Sequence, residues 1–125
     1  MLQTSKAFSS FSVKNIEEAK AFYESIGLKI KVGEMGILEL ALEGSENIML
    51  YPKDNHQPAT FTVLNFPVNN IDKAVDELIS KGIKFEQYDS EYIKTDEKGI
   101  SRGEQGPKIA WFKDPSGNIL SVLEG

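Results

Sequence analysis

A chain of 125 residues with 40% hydrophobic and 26% charged side chains has the make-up of one compact globular domain, and no apolar run reaches the roughly 20 residues of a membrane helix. Having no cysteine excludes a disulfide framework, thiol catalysis and cysteine-held zinc, and the start of the chain lacks the basic and apolar segments of a signal peptide, so a cytoplasmic location and no membrane partner are expected. A formal charge of -5 with both signs interspersed disfavours nucleic-acid binding, which needs a positive surface, and suits neutral or cationic small ligands.

In chain order, a strand over 6–13 ends at Val13. Asn15 caps a helix over 15–26, its side-chain oxygen taking a free backbone N–H, with Glu18 at the capping-box spacing. Ile16, Ala19, Phe22, Tyr23 and Ile26 keep a helical period, and Gly27 stands where a left-handed residue would end the helix. Strands follow over 28–33, 36–42 and 46–51, parted by the turns Gly33-Glu34-Met35-Gly36 and Gly44-Ser45-Glu46-Asn47. Segment 51–59, with Pro52, Asn55 and Pro58, reads as a linker. A strand over 60–68, a helix over 70–80 and a strand over 83–87 come next, and strands over 108–113 and 118–123 close the chain around Asp114-Pro115-Ser116-Gly117-Asn118.

The chain is thus written twice. Val13-Lys14-Asn15-Ile16-Glu17-Glu18-Ala19 aligns with Val68-Asn69-Asn70-Ile71-Asp72-Lys73-Ala74 at an offset of 55, and Ser25-Ile26-Gly27-Leu28-Lys29 with Ser80-Lys81-Gly82-Ile83-Lys84. Ser45-Glu46-Asn47-Ile48 aligns with Ser116-Gly117-Asn118-Ile119 at 71, so the second copy carries 71 − 55 = 16 extra residues. The polar, aperiodic segment 88–107 can hold them, either as a lid or as a solvated excursion.

The doubled strand-helix-three-strand order resembles the vicinal oxygen chelate superfamily of glyoxalases, bleomycin-resistance proteins and extradiol dioxygenases. So do Val-x-Asn-Ile before a helix ending in Phe22-Tyr23, then Gly27-Leu28, and the closing Asp114-Pro115-Ser116-Gly117-Asn118. The resemblance covers nearly the whole chain. It implies an α+β fold: a single domain over 1–125 built of two βαβββ modules, about 6–52 and 60–125, forming an open mixed-sheet barrel. It also implies a ligand or metal held in the cleft between modules, and a homodimer. Carried over residue by residue, the four metal-ligand positions of that family hold Phe8, Val63, Leu50 and Ser121. Three have no donor atom and a lone serine is a poor ligand, so neither a metal nor another cofactor is expected. A one-residue error in register would not restore the set.

Strand alternation then fills the expected cleft. Phe8 takes Ser10 and Ser12 with it, Val63 takes Asn65, Ser121 takes Ile119 and Leu123, and Trp111 points inward with Ile109 and Lys113. The expected ligand-binding set is Phe8, Ser10, Leu50, Val63, Asn65, Trp111 and Ser121, apolar and aromatic with few polar groups. Trp111 either stacks a planar ligand or merely fills its half of the barrel.

Other candidates are thinner. His56, the sole histidine, reads as a solvent-exposed linker residue, the sharper alternative being half a metal site or an acid–base pair with Asp54. Asp96, Glu97, Lys98 and Arg102 are either solvated or close over a charged ligand, and Asp114 stabilises its own turn. Glu39 and Glu43 are candidate catalytic carboxylates; Glu39, on the alternate face from Leu38 and Leu40, is the one aimed at the cleft, and as a general base it would need burial to raise its pKa. The leading function is binding of a small organic molecule without a metal, as the bleomycin-resistance branch does with a cationic drug. The alternatives are a glyoxalase-like lyase or isomerase or a dioxygenase with a divergent site, or a ligand-free scaffold whose cleft is plugged. Metal-dependent activity is disfavoured because both enzyme types need a Lewis acid or oxygen activator; whether the chain is an enzyme stays open.

Overall fold

The computed structural model describes residues 1–103 and 106–125. The chain divides into two compact units, Met1–Gln57 and Pro58–Gly125. Among the described residues no helix is long and apolar enough to cross a membrane.

The first unit runs β1 (Ser10–Val13), α1 (Ile16–Ser25), β2 (Lys29–Val32), β3 (Leu38–Ala41) and β4 (Ile48–Pro52). Its four-stranded sheet has the order β1-β4-β3-β2, with β1 parallel to β4 and the other pairs antiparallel. The Asn15 side chain accepts the backbone N–H of Glu18 at 2.9 Å, and Gly27, at φ 99°, turns the chain out of α1. Helical spacing brings Ala19 and Tyr23 onto one side of α1, where they are buried with Val13, Leu38, Leu40, Ile48 and Leu50. Burying each of these larger side chains stabilises the unit by about 1.5–3 kcal/mol.

The second unit repeats the plan with β5 (Thr62–Pro67), α2 (Ile71–Ser80), β6 (Ile100–Ser101), β7 (Lys108–Lys113) and β8 (Ile119–Glu124), in the order β5-β8-β7-β6. Again the outer first strand pairs parallel to the last, and the rest are antiparallel. Asn70 caps α2 by accepting from Lys73 N at 3.0 Å, and the Glu124 carboxylate takes the neighbouring Ile71 N–H at 2.8 Å. Ile71 and Val75 are buried with Ile100, Ala110, Phe112, Leu120 and Val122. The architecture is therefore the expected α+β pair of βαβββ modules, with mixed sheets that do not close on themselves.

One expected strand is absent. Segment 83–87 forms no ladder and gives β7 a single backbone bond, Glu86 N to Trp111 O at 2.8 Å. The place beside β7 belongs to β6, which comes from the segment read as a loop. The reason is packing: Phe85 turns into the core, edge-on to Phe112 at 5.4 Å, and Gly99 lies so close over it that a Cβ would stand 2.8 Å from the Phe85 Cβ. Segment 88–99 is likewise ordered by its own bonds. Asp89 bridges Lys94, Tyr88 N donates to Thr95 Oγ1 at 2.8 Å, and Asp96 Oδ1 accepts from Lys98 N and Ile100 N, each at 2.9 Å. Ion pairs from Arg102 to Asp72 and Asp96, and from Lys98 to Asp72 and Asp76, tie it to α2. The part of segment 88–107 at 104–105 lies outside the described residues.

Candidate functional site

Each sheet gives one face to its helix; the other, the open face, carries exposed or half-buried Ser10, Met49, Glu39 and Lys31 in the first unit and Asn65 and Trp111 in the second, with Ser121 buried between the last two. Ladder register decides which residues stand there. In the second unit Asn65 pairs with Ser121 and Ser121 with Trp111, so the three form one row across β5, β8 and β7, with neighbouring strands about 4.8 Å apart. The alternate positions Ala110, Phe112, Leu120 and Val122 are the core, which puts the row on the face turned away from it.

The row is locked by polar bonds. Ser121 is fully buried and its Oγ donates to Asn65 Oδ1 at 2.6 Å. That bond fixes which way the Asn65 amide points and leaves both Nδ2 hydrogens for another acceptor. Trp111 Nε1 donates to Thr62 Oγ1 at 3.1 Å, and Tyr88 lies edge-on to the indole at 5.6 Å. Val63 does not join this row. The ladder passes from Thr62 opposite Ile119 to Leu64 opposite Leu120, so Val63 sits in a β-bulge without a partner, and Thr62 takes the position next to Trp111. Simple alternation cannot foresee a bulge.

In the first unit the equivalent row is Ser10, Met49, Glu39 and Lys31. Leu50 is absent from it. Leu50 pairs with Phe11 and Leu38 and is fully buried on the helix side. Register slips by one because the ladders equate Met49 with Ser121, an offset of 121 − 49 = 72, where the turns suggest 71. A one-residue slip moves a side chain to the other face. β3 and β7 align at 72 as well, since Glu39 pairs with Met49 as Trp111 pairs with Ser121, so the two closing turns are equally long. The second is held by Asp114, whose Oδ1 accepts from Ser116 N and Asn118 N and whose Oδ2 accepts from Asn118 Nδ2. Counting back 72 from Asp114 gives Leu42, which has no such acceptor.

Phe8 precedes β1 and is 60% exposed. It lines a pocket of about 220 Å³ together with Glu39, Glu46, Asn47 and Met49. Glu39, half-buried on β3, has no hydrogen bond or ion pair among the described residues. Ser10 is exposed at the start of β1. Ser12 Oγ lies 2.6 Å from His56 Nδ1, so the histidine read as a solvated linker residue is instead half-buried against the sheet. The linker folds back through His56 N to Lys53 O at 3.0 Å, a turn with Asp54 and Asn55, both turn-favouring residues, at its centre. Sequence reasoning also passed over Met49, Thr62 and Tyr88. A pairing of the two copies strand by strand, rather than turn by turn, would have found Met49.

By ladder register the four equivalent ligand positions are Phe8, Thr62, Met49 and Ser121, a set that offers a thioether and two hydroxyls and does not fit a zinc, nickel or iron site. Among the described residues no three His, Asp or Glu side chains stand close enough to share an ion.

Away from the open faces, charge is concentrated on the segment that follows α2. The Arg102 guanidinium holds the Asp72 carboxyl below its usual range. Partial burial pushes Asp96 up, but backbone N–H bonds from Ile100 and Lys98 and the Arg102 side chain outweigh it and leave this carboxyl lowered as well. The Asp76 and Asp72 carboxylates raise Lys98. These groups hold chain segments together and are spent on one another.

Solved structures share this fold. A Sphaerobacter thermophilus protein of the glyoxalase/bleomycin resistance protein/dioxygenase superfamily matches with TM-score 0.74 and 19% identity over 100% of both chains. A bleomycin-binding protein complexed with bleomycin matches with TM-score 0.72 and 20% identity over 98% of this chain and 99% of that one. A lactoylglutathione lyase from Agrobacterium tumefaciens matches with TM-score 0.70 and 17% identity over 98% and 94%. A binding protein and a lyase on one fold leave the chemistry to the residues of the site. No curated protein matches the chain significantly in sequence. The family model described as Glyoxalase/Bleomycin resistance protein/Dioxygenase superfamily matches residues 8–122, and the chain belongs to that superfamily.

Proposed function

We propose that this protein binds a small planar organic molecule on the open faces of its sheets, without a metal. The observation that carries the reading is the row Trp111–Ser121–Asn65. An indole held by Thr62 and Tyr88 gives a flat apolar contact at little entropic cost, and an amide oriented by a buried serine gives a hydrogen-bond donor of fixed direction. The ligand is then an aromatic ring system carrying a carbonyl or similar acceptor. That a protein of the same fold is seen with bleomycin supports a binding role. Lyase or dioxygenase chemistry of the metal-dependent kind needs donors that Phe8, Thr62, Met49 and Ser121 do not supply. A homodimer and a cytoplasmic location complete the reading, and the lack of cysteine agrees with the second.

A thermal-shift series tests the reading, because a ligand for the folded state raises the melting temperature by mass action. Naphthalene-2-carboxamide should raise it after treatment with a chelator, and Asn65→Ala should weaken that binding by about 5–30-fold, the worth of one to two hydrogen bonds. Equal binding by Asn65→Ala, or stabilisation that needs an added metal, would overturn it.

A further inference from the structure

The open face of the first unit differs in chemistry from that of the second. We infer that the pocket lined by Phe8, Glu39, Glu46, Asn47 and Met49 is a subsite for a small primary ammonium group attached to an apolar body. The inference rests on the reading that the open faces bind small organic molecules, and adds the charge class and the residues that select it.

Four observations carry it. Glu39 is held by β3 in the row between Met49 and Lys31, yet among the described residues its side chain makes no hydrogen bond or ion pair, with its register neighbour Lys31 or any other. A half-buried carboxylate gains from a cation that brings N–H donors, because charge-assisted hydrogen bonds are the strong ones. The other walls suit the apolar body and the back of the cation: the Phe8 ring offers a π face, Met49 a polarizable thioether. At about 220 Å³ the space is below the 300–1,000 Å³ typical of drug-sized ligands, so it takes a small molecule or one arm of a larger one. Glu46 shares the pocket, which turns away carboxylates and phosphates. A hard cation such as calcium takes about six to eight oxygens, more than two carboxylates and one amide supply, and among the described residues no three His, Asp or Glu side chains stand close enough to share an ion.

The experiment is calorimetric titration of the intact protein with benzylammonium, benzyl alcohol and benzoate. Benzylammonium should bind, and the other two should not. Glu39→Gln, which keeps the shape and removes the charge, should weaken benzylammonium binding by about ten- to a hundredfold. Phe8→Leu should weaken it by a smaller factor, about two- to fivefold. Trp111 emission should not change, which separates this site from the amide-reading row. Binding of benzyl alcohol as tight as benzylammonium, unchanged affinity in Glu39→Gln, or no benzylammonium binding at all overturns the inference. In the last case, a naphthalene-2-carboxamide response that persists leaves the proposed function standing, whereas loss of both removes that too.

Discussion

The two units have the same ladder and opposite surface chemistry. Ser10, Met49, Glu39 and Lys31 make a charged row in the first, where Asn65, Ser121 and Trp111 make an aromatic and amide row in the second. Their edges differ as much. Val32 and Ile100 hold equivalent places, opposite Leu38 and Ala110, yet Val32 is 65% exposed and Ile100 1%. The first unit leaves β2 as a bare edge guarded by Lys29 and Lys31, a common way to discourage edge-to-edge pairing. The second spends its extra residues on covering its edge, with Phe85, Gly99 and Ile100 all buried. Duplication supplies a frame, and insertions and point changes decide what each copy does with it.

The largest expected contrast is in the register slip. Leu50→Ala should cost about 2–5 kcal/mol in urea unfolding, as a large buried side chain does, and Met49→Ala, on the open face, less than about 1 kcal/mol. Equal costs would mean that the two strands do not align at 72. The closing turns give the next contrast. Asp114→Ala strands three donors that now bond one carboxylate and should cost about 2–4 kcal/mol, while Asn47→Ala in the plainer first turn should stay within about 0.5 kcal/mol.

Gly99→Ala comes third. At φ +88° with Phe85 Cβ and Glu86 O within 2.9 Å of the new methyl, it should cost about 1–3 kcal/mol and loosen β6, whereas Lys31→Ala should be nearly silent.

The smallest effect is on the ion pairs that tie segment 88–102 to α2. Arg102→Gln should change global stability by less than about 1 kcal/mol, because these are surface pairs, yet speed amide exchange in 88–101. Asp72 and Asp96 have lowered pKa values in the folded chain, so their contribution is present above the ordinary carboxylate value of 3.8 and is lost as pH falls through the lowered ones. Exchange in this segment, relative to its intrinsic rate at each pH, should therefore accelerate on acidification below that value in the parent protein, and less so in Arg102→Gln, where Lys98 and the backbone bonds to Asp96 remain.

The repeat made the fold legible. Val-x-Asn-Ile with its cap, the helical spacing of Ile16, Ala19 and Tyr23, and the Asp114 turn are local signals, and each forms as local chemistry requires. What could not be seen is non-local. Ile83-Lys84-Phe85 alternates like a strand, but Ile100-Ser101 wins the ladder because Gly99 packs on Phe85. Leu50 and Met49 look interchangeable until a strand register separates them, and Val63 follows alternation until a bulge interrupts it. Trp111, Asn65 and Ser121 were expected on one face and stand there, but the bonds that orient them, through Thr62 and between Ser121 and Asn65, join residues 49 and 56 positions apart. His56 meets Ser12 across 44 positions.

The most direct test of the central claim uses the sole tryptophan. Emission of Trp111 is followed while naphthalene-2-carboxamide is added to protein stripped of metal and kept in chelator. Metal-free binding on the open face predicts a saturable change in emission that zinc or nickel does not enhance, and that is weakened in Asn65→Ala. No change in emission at ligand concentrations that raise the melting temperature, or a change that appears only when metal is restored, would contradict it.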